Sequence, residues 1–460
     1  MPDSSENKTG RSEKELFQRA FDNILNTEKK DYPSYMGGLS VASGRDYELA
    51  SPIDGTIIFG RVQVPEKGTA AEAVGYAERA FASWSAKSGA ERAELFGNVL
   101  KRVRAQRYIL ASYVMLSTGM SEKDCLAEAD GLASAIEKAC EDEIKGEGSP
   151  AGVWGILSDH VSPLAFPAAA AACAMISGNT VVCIPSAGCP VPMFVFYGIL
   201  TAAGLPPGVF NIVPGGMRED AEIAGEPALK GIAASVSGKR AEELIFLPAD
   251  EELMFVNEIK GMNPIAVHKP GDMKATAASI IESAFRSSGQ RLYSCSKVIT
   301  THGEREKLVS ELLSAVKSLK VGDPAEEGTS AGPIFSEEDY KRFVSLADEL
   351  RSDVIYGGKS ASEGGRYVTP MIVSGSDPES PVRYSDTGLP VLAVVSLSDF
   401  GEMMEEMEET ECGLSASLFS ENKSSIGIFG KYAGAETINI NRGTENLVPA
   451  SNINRGLFLK

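Results

Sequence analysis

"GVWGIL" (Gly152–Leu157) opens the series that decides the fold. "TVVCI" (Thr180–Ile184), "VFNIV" (Val209–Val213) and "GIAAS" (Gly231–Ser235) follow it. Each run is short, nearly all apolar, and flanked by glycine or proline, with helical stretches between. Near-continuous apolar strands separated by helices predict a parallel sheet buried on both faces. The rhythm resumes after Glu258 in "NPIAVH", "KVITT", "DVIYGG" and "PVLAVV". Two successive α/β regions predict two lobes with a cleft between them.

Upstream, "YELASPIDGTIIFGRVQV" (Tyr47–Val64) reads as two strands about the Asp54-Gly55 turn. Thr69 is placed to cap the next helix, in which Val74, Ala77, Phe81 and Trp84 recur at helical spacing. A second helix is predicted over Glu91–Tyr108, with Leu95, Val99 and Val103 on one face, and a third over Ser121–Glu143. Residues 1–15 read as a loose tail. The acidic run "EMMEEMEET" (Glu402–Thr410) reads as a solvated helix face with Met403 and Met407 turned inward. The expected division is a tail and leading helix over 1–29, a first lobe over 30–257 with a helical bridge at 120–150, a second lobe over 258–430, and a return segment over 431–460.

Composition narrows the function classes. The 460 residues are 43% hydrophobic and 23% charged, as in an ordinary globular protein. The net charge of −19 repels phosphate backbones and argues against a nucleic-acid partner. The seven cysteines are odd in number and none is spaced as CxxC; His160, His268 and His302 are scattered, so no zinc set can be assembled. The start "MPDSSENKTGRSEKE" has no apolar core of a signal peptide, and the Ala-rich stretch Phe166–Ile176 is too short to span a bilayer. These features predict a reduced, cytoplasmic protein with no membrane partner.

Eight collinear segments then carry a resemblance. They are "SPLAFP" (Ser162–Pro167), "SGNTVVCIPS" (Ser177–Ser186), "AGLPPGVFNIVPG" (Ala203–Gly215), "EIKGMNP" (Glu258–Pro264), "GQRLYSCSKVI" (Gly289–Ile299), "LPVLAVV" (Leu389–Val395), "ECGLSASLFS" (Glu411–Ser420) and "ININ" ending at Asn441. From about residue 35 to 445 the chain resembles the aldehyde dehydrogenase superfamily. "YSCSKVI" and "INRGT" (Ile440–Thr444) look most like its 1-pyrroline-5-carboxylate dehydrogenase branch. The resemblance implies an aldehyde-dehydrogenase-like α/β fold: two doubly wound lobes, the first of cofactor type and the second of catalytic type. It implies NAD or NADP as cofactor. After Thr444 the chain reads "ENLVPASNINRGLFLK" where the family has a glycine-rich P-F-G-G segment and an arm that crosses to a partner subunit, so a truncated oligomerisation arm is expected. A homo-oligomer through other surfaces or an active paralogue remains open as partner.

The family reaction needs a thiolate to attack the aldehyde, amides to hold the oxyanion, a nicotinamide to take the hydride, and a carboxylate to activate water. By this resemblance, Glu258 matches the general base of the pattern E-L-G-G-K-x-P. The thiol of G-Q-x-C falls on Leu292, which has no nucleophile; Cys295 lies three residues on, roughly 10 Å along an extended chain and on its other face. The oxyanion asparagine of W-N-F-P falls on Ala165. The K-P-S-x cofactor motif reads Ile184-Pro185-Ser186-Ala187, so Pro185 and Ser186 remain while the lysine is gone. The F-T-G-S turn aligns with Ala234-Ser235-Val236-Ser237, leaving Ser237, with Gly238 able to restore a turn in another register. The glutamate of E-x-F-G-P becomes Asp386 and its phenylalanine Gly388. The scaffold motifs persist and the reactive ones are eroded. Three readings stand: a binding, regulatory or structural paralogue that has lost aldehyde oxidation; an active NAD(P)-dependent 1-pyrroline-5-carboxylate or semialdehyde dehydrogenase using Cys295 or an unrecognised route; and an enzyme of changed chemistry in which Glu258 acts as acid or base on another ligand.

Overall fold

Strands Val153–Ser158 and Thr180–Pro185 pair in parallel, from Val153 opposite Thr180 to Ser158 opposite Pro185, and every residue of both is buried. Such strands bury side chains on both faces, which is why the sequence shows no alternation there. The computed structural model describes residues 12–460 except 146–147, 245, 248–251, 363–364, 376 and 411–412. Most of the expected tail, residues 1–11, and Cys412 lie outside the described residues. The rest of that tail is ordered: Ser12 caps the helix Glu13–Leu25 through a reciprocal bond pair with Glu15.

The first large sheet runs in the spatial order Met254–Asn257, Leu229–Ser235, Val153–Ser158, Thr180–Pro185, Phe210–Ile212, Ser34–Met36, Leu39–Val41. The last two form an antiparallel edge hairpin that apolar patterning alone did not mark. The second sheet is ordered Val354–Tyr356, Met371–Ser374, Val391–Leu397, Lys297–Thr301, Ile265–Val267, Ser415–Phe419, Thr437–Ile440. It is parallel except at its first strand. Its last strand lies beyond residue 430, so the second lobe extends past the expected boundary. A small sheet of Lys30–Tyr32, Ile58–Gln63 and Asp46–Ala50 includes the hairpin about Asp54-Gly55.

The helices differ from the sequence reading in instructive ways. Thr69 is the first helical residue of Thr69–Ser85; the cap is Gly68, whose φ of +88° needs no side chain. The helix expected over Glu91–Tyr108 is two helices, Gly89–Ala105 and Arg107–Thr118, broken at Gln106. The expected bridge is one long helix, Glu122–Lys145, packed on Gly89–Ala105, Arg107–Thr118 and Ala165–Ile176. All twelve residues of Ala165–Ile176 are buried, and its alanines let the neighbouring helix approach closely. The acidic helix Phe400–Glu409 buries Met403 and Met407, but Glu406 is buried too, paired with Lys297 at 2.5 Å and Arg383 at 2.8 Å. No helix among the described residues is long and apolar enough to cross a membrane.

Beyond Asn441, the stretch expected to end as an arm lies against the chain's own first lobe. Phe458 is fully buried beside Trp154, ring centroids 4.6 Å apart, and its carbonyl accepts from Asn179 Nδ2 at 2.8 Å. Arg455 meets Glu143 at 2.6 Å, and the same carboxylate meets Arg92 at 2.6 Å. Replacing Phe458 with Ala should therefore destabilise the first lobe by about 3–5 kcal/mol in denaturant unfolding; a loss under about 1 kcal/mol would mean that the segment is not docked in solution.

Candidate functional site

The two lobes meet at a strained turn. After helix Met273–Phe285 the chain makes the short 3-10 turn Arg286–Gly289. Ser287 and Ser288 both take left-handed φ, +53° and +55°, and Gly289 follows at +68°. Left-handed backbone costs an ordinary residue about 1–2 kcal/mol, so the surroundings must hold it. Ser288 Oγ donates to Gly332 O at 2.6 Å, Ser287 N to Ser330 O at 2.7 Å, and Ser287 Oγ to Asp124 Oδ2 at 2.6 Å. At Gly289 a Cβ would sit 3.0 Å from Ala284 O, so glycine is required there. Asp124, on helix Glu122–Lys145, also accepts from Arg286 Nε and NH2 and lies 3.8 Å from Arg291 Nε. The two guanidiniums hold its carboxyl below the usual range despite complete burial.

This turn delivers Leu292 to the interlobe cleft. Leu292 is 1% exposed and packs with Val161, Tyr293, Leu414 and Leu447. The void beside it measures about 20 Å³ and is bounded by Asp124, Glu128, Tyr293 and Pro449 among others. That holds at most a single water. Cys295 goes elsewhere: it packs in the second lobe's core with Ile265, Phe285 and Val298, and its Sγ donates to Lys297 O at 3.2 Å. The strand itself begins only at Lys297, two residues beyond Cys295. Burial pushes the Cys295 thiol up to about 12.

Ala165 opens helix Ala165–Ile176, and its N–H donates to Glu128 Oε2 at 2.7 Å. Leu164 N and Ser162 Oγ donate to the same carboxylate at 3.0 Å each. Glu128 was not singled out from sequence. The signal was present, because it falls on the buried stripe Cys125, Ala129, Leu132 of its helix. Burial raises it to about 7 even though these donors favour the charged form. Glu258 is 2% exposed, receives one long bond of 3.4 Å from Ala450 N, and has no hydrogen-bond partner on Oε1. Burial pushes it up to about 8.

The remaining predicted residues surround the carboxyl ends of the first sheet. There the chain leaves Val153–Ser158 and Leu229–Ser235 toward opposite sides, the kind of crevice where open α/β sheets take ligands. Ser237 N and Oγ both donate to Asp159 Oδ2, at 2.7 and 2.9 Å. Gly238, φ +52°, starts the following helix, so the turn is made there, and Val236 is simply buried. Arg240 lies across the strand ends: NH1 donates to Ser158 O at 2.6 Å, NH2 to Ile184 O at 3.1 Å, and Asp220 holds the guanidinium with two bonds of 2.7 Å. Pro185 O accepts from Gly215 N, and Ser186 N donates to Ser158 O. Asp386 is paired with Lys260 Nζ at 2.5 Å, and the lysine side chain is 1% exposed. Lys260 stands where the family pattern has its first glycine, a departure legible in "EIKGMNP". Across the cleft His160 stacks on Phe335, ring centroids 4.2 Å apart and nearly parallel. Among the described residues no group of acidic, histidine or cysteine side chains could hold a metal ion.

Comparison with known proteins agrees with this architecture. The model of the aldehyde dehydrogenase family matches residues 40–453. A 1-pyrroline-5-carboxylate dehydrogenase of Geobacillus sp. (strain WCH70) is 26% identical over 443 residues, covering 91% of this chain and 86% of its own. The Bacillus subtilis (strain 168) protein of that name is 26% identical over 430 residues, covering 88% and 83%. A Thermus 1-pyrroline-5-carboxylate dehydrogenase solved with bound NAD superposes with a TM-score of 0.91 at 21% identity, over 98% of this chain and 96% of that one. An NAD-dependent aldehyde dehydrogenase from Sinorhizobium meliloti gives 0.86 at 25% identity, over 92% and 89%. With the family model spanning nearly the whole length, this chain belongs to the aldehyde dehydrogenase family.

Proposed function

We propose that this chain is a family member that has given up aldehyde oxidation and serves as a binding or structural paralogue. The observation that carries the reading is Leu292: at the place where the family pattern puts its nucleophile stands an apolar side chain, sealed among other apolar side chains beside a void too small for an aldehyde. No atom there can form the covalent adduct. At Ala165 the side-chain oxyanion donor is absent and the backbone N–H is committed to Glu128; one such donor is typically worth about 10²–10³ in rate. The nicotinamide dinucleotide of the family does not fit the donors present. The Ser237 groups that could meet a pyrophosphate are occupied by Asp159, Arg240 and Asp220 fill the crevice, and Lys260 neutralises the carboxylate that would take a ribose hydroxyl.

A second reading rests on the relatives' name: an active 1-pyrroline-5-carboxylate or semialdehyde dehydrogenase using Cys295. The thiol's environment opposes it. Burial pushes the thiol up to about 12, so it rests as the un-ionised thiol near neutral pH. Glu258 with its proton on is likewise a poor base at that pH.

Two measurements decide between these readings. Absorbance of reduced nicotinamide should show no turnover with NAD or NADP and 1-pyrroline-5-carboxylate or other semialdehydes, for the wild type and for Cys295→Ala alike. Turnover that the variant loses would establish Cys295 as nucleophile and overturn the proposal. Restoring the thiol alone, as Leu292→Cys, should give no measurable oxidation, and calorimetry on the wild type should detect no NAD or NADP binding at millimolar concentration; robust turnover by the variant would show that the cofactor crevice is still usable.

A further inference from the structure

One buried acid is left without a task. Glu258 lies beneath the segment 445–453, which is secured at its two ends and little tied between them. At the first end Thr444 N donates to Ser283 Oγ at 2.9 Å, Ser283 Oγ donates to Glu445 Oε2 at 2.9 Å, and Arg286 NH2 donates to Glu445 O at 2.5 Å. At the other end Ile453 and Phe458 enter the first lobe's core and Arg455 pairs with Glu143. The middle has long polar ties: Lys123 Nζ to Asn446 at 3.3 Å, Ala450 N to Glu258 Oε2 at 3.4 Å, and Asn452 Nδ2 to Glu436 at 3.5 Å. Ala450 has a left-handed φ of +63°, a conformation that costs a residue with a Cβ. Leu447 covers Leu292 and Tyr293, and Pro449 lies against Gly131, where a Cβ would come within 2.7 Å of its carbonyl.

We infer that segment 445–453 is a proton-latched cover: it stays seated over the interlobe cleft while the Glu258 carboxyl is protonated, and it lifts when that carboxyl ionises. The covered site suits an acid and not its anion. Oε1 has no hydrogen-bond partner and no exposure to water, and an ionised carboxylate left so is costly to bury. The charged and titratable groups facing it are Glu128 from helix Glu122–Lys145, Glu436 from before strand Thr437–Ile440, and Tyr293 from the strained turn. Both acids disfavour its anion. Lys260, two residues along its own strand end, is committed to Asp386.

The direction of the pH effect follows. The Glu258 carboxyl titrates near 8 when covered and near the ordinary 4.5 once water reaches it. The seated form is fully favoured below the lower value. It loses ground as pH rises between the two, by up to about tenfold per pH unit. Above 8 there is no further change. The inference is independent of the proposed loss of turnover, because it concerns the seating of the segment and not chemistry.

Hydrogen exchange of the full chain, read by mass spectrometry on peptides covering 445–453 between pH 6 and 9 and corrected for intrinsic rates, tests it. Wild-type protection of this segment should fall several-fold or more on going from pH 6 to 8 and then level off, while strand Thr180–Pro185 stays protected. Glu258→Gln, which cannot ionise, should flatten the profile. Glu436→Gln, a change at an exposed acid that leaves the Glu258 carboxyl and an acceptor for Asn452 in place, should bring the levelling off to lower pH and shrink the fall between pH 6 and 8, and serves if the first variant does not fold. A wild-type profile flat with pH, an unchanged fall in Glu258→Gln, or no shift in Glu436→Gln would overturn the latch.

Discussion

Asp124 is the constraint on which the interlobe region depends. Its carboxylate reaches from a first-lobe helix into the turn Arg286–Gly289 and takes hydrogen bonds from Ser287 and Arg286. Ser287, the first of two consecutive left-handed serines, is held there by Asp124 and Ser288 by Gly332 O, against a backbone cost of about 1–2 kcal/mol per residue. Because the turn is fixed, the direction in which the chain enters the cleft is fixed, and Leu292 arrives among Val161, Tyr293 and Leu414. The side chain that the turn brings there is leucine, which carries no nucleophilic atom.

The same economy recurs on the cofactor side. Buried carboxylates and cations need partners, and here each finds one within the chain. Asp159 takes the Ser237 donors, Asp220 takes Arg240, and Asp386 takes Lys260. Each pairing satisfies a buried charge or donor inside the chain. Lys260 and Asp386 are coupled changes in this sense: a buried lysine at 1% exposure is tolerable only beside an anion, and the aspartate beside it is then no longer free for a ligand. Glu128 and Glu258 are the exceptions, buried without a cation and shifted toward their neutral forms.

Much of this was legible beforehand. The strands Val153–Ser158, Thr180–Pro185 and Val391–Leu397 announced themselves because full burial on both faces leaves an unbroken apolar run. Leu292 and Ala165 were found by their place in motifs whose chemistry demands other residues. What escaped was of two kinds. Short edge strands such as Leu39–Val41 are exposed and, at three residues, too short to show a period. Residues whose meaning lies in a distant partner, Glu128 beneath Ala165 or Glu406 against Lys297 and Arg383, look like ordinary helix-surface acids until the partner is seen.

The sequence by itself determined the family, the two α/β lobes and the absence of a thiol at position 292, because these follow from local patterning and from which atoms a side chain contains. Only the tertiary structure decided that Cys295 is locked in the core, that Arg240 and Lys260 fill the crevices with internal ion pairs, and that residues 445–453 lie over Glu258. Burial and partner choice are properties of positions far apart in the chain, and the folded packing alone brings them together.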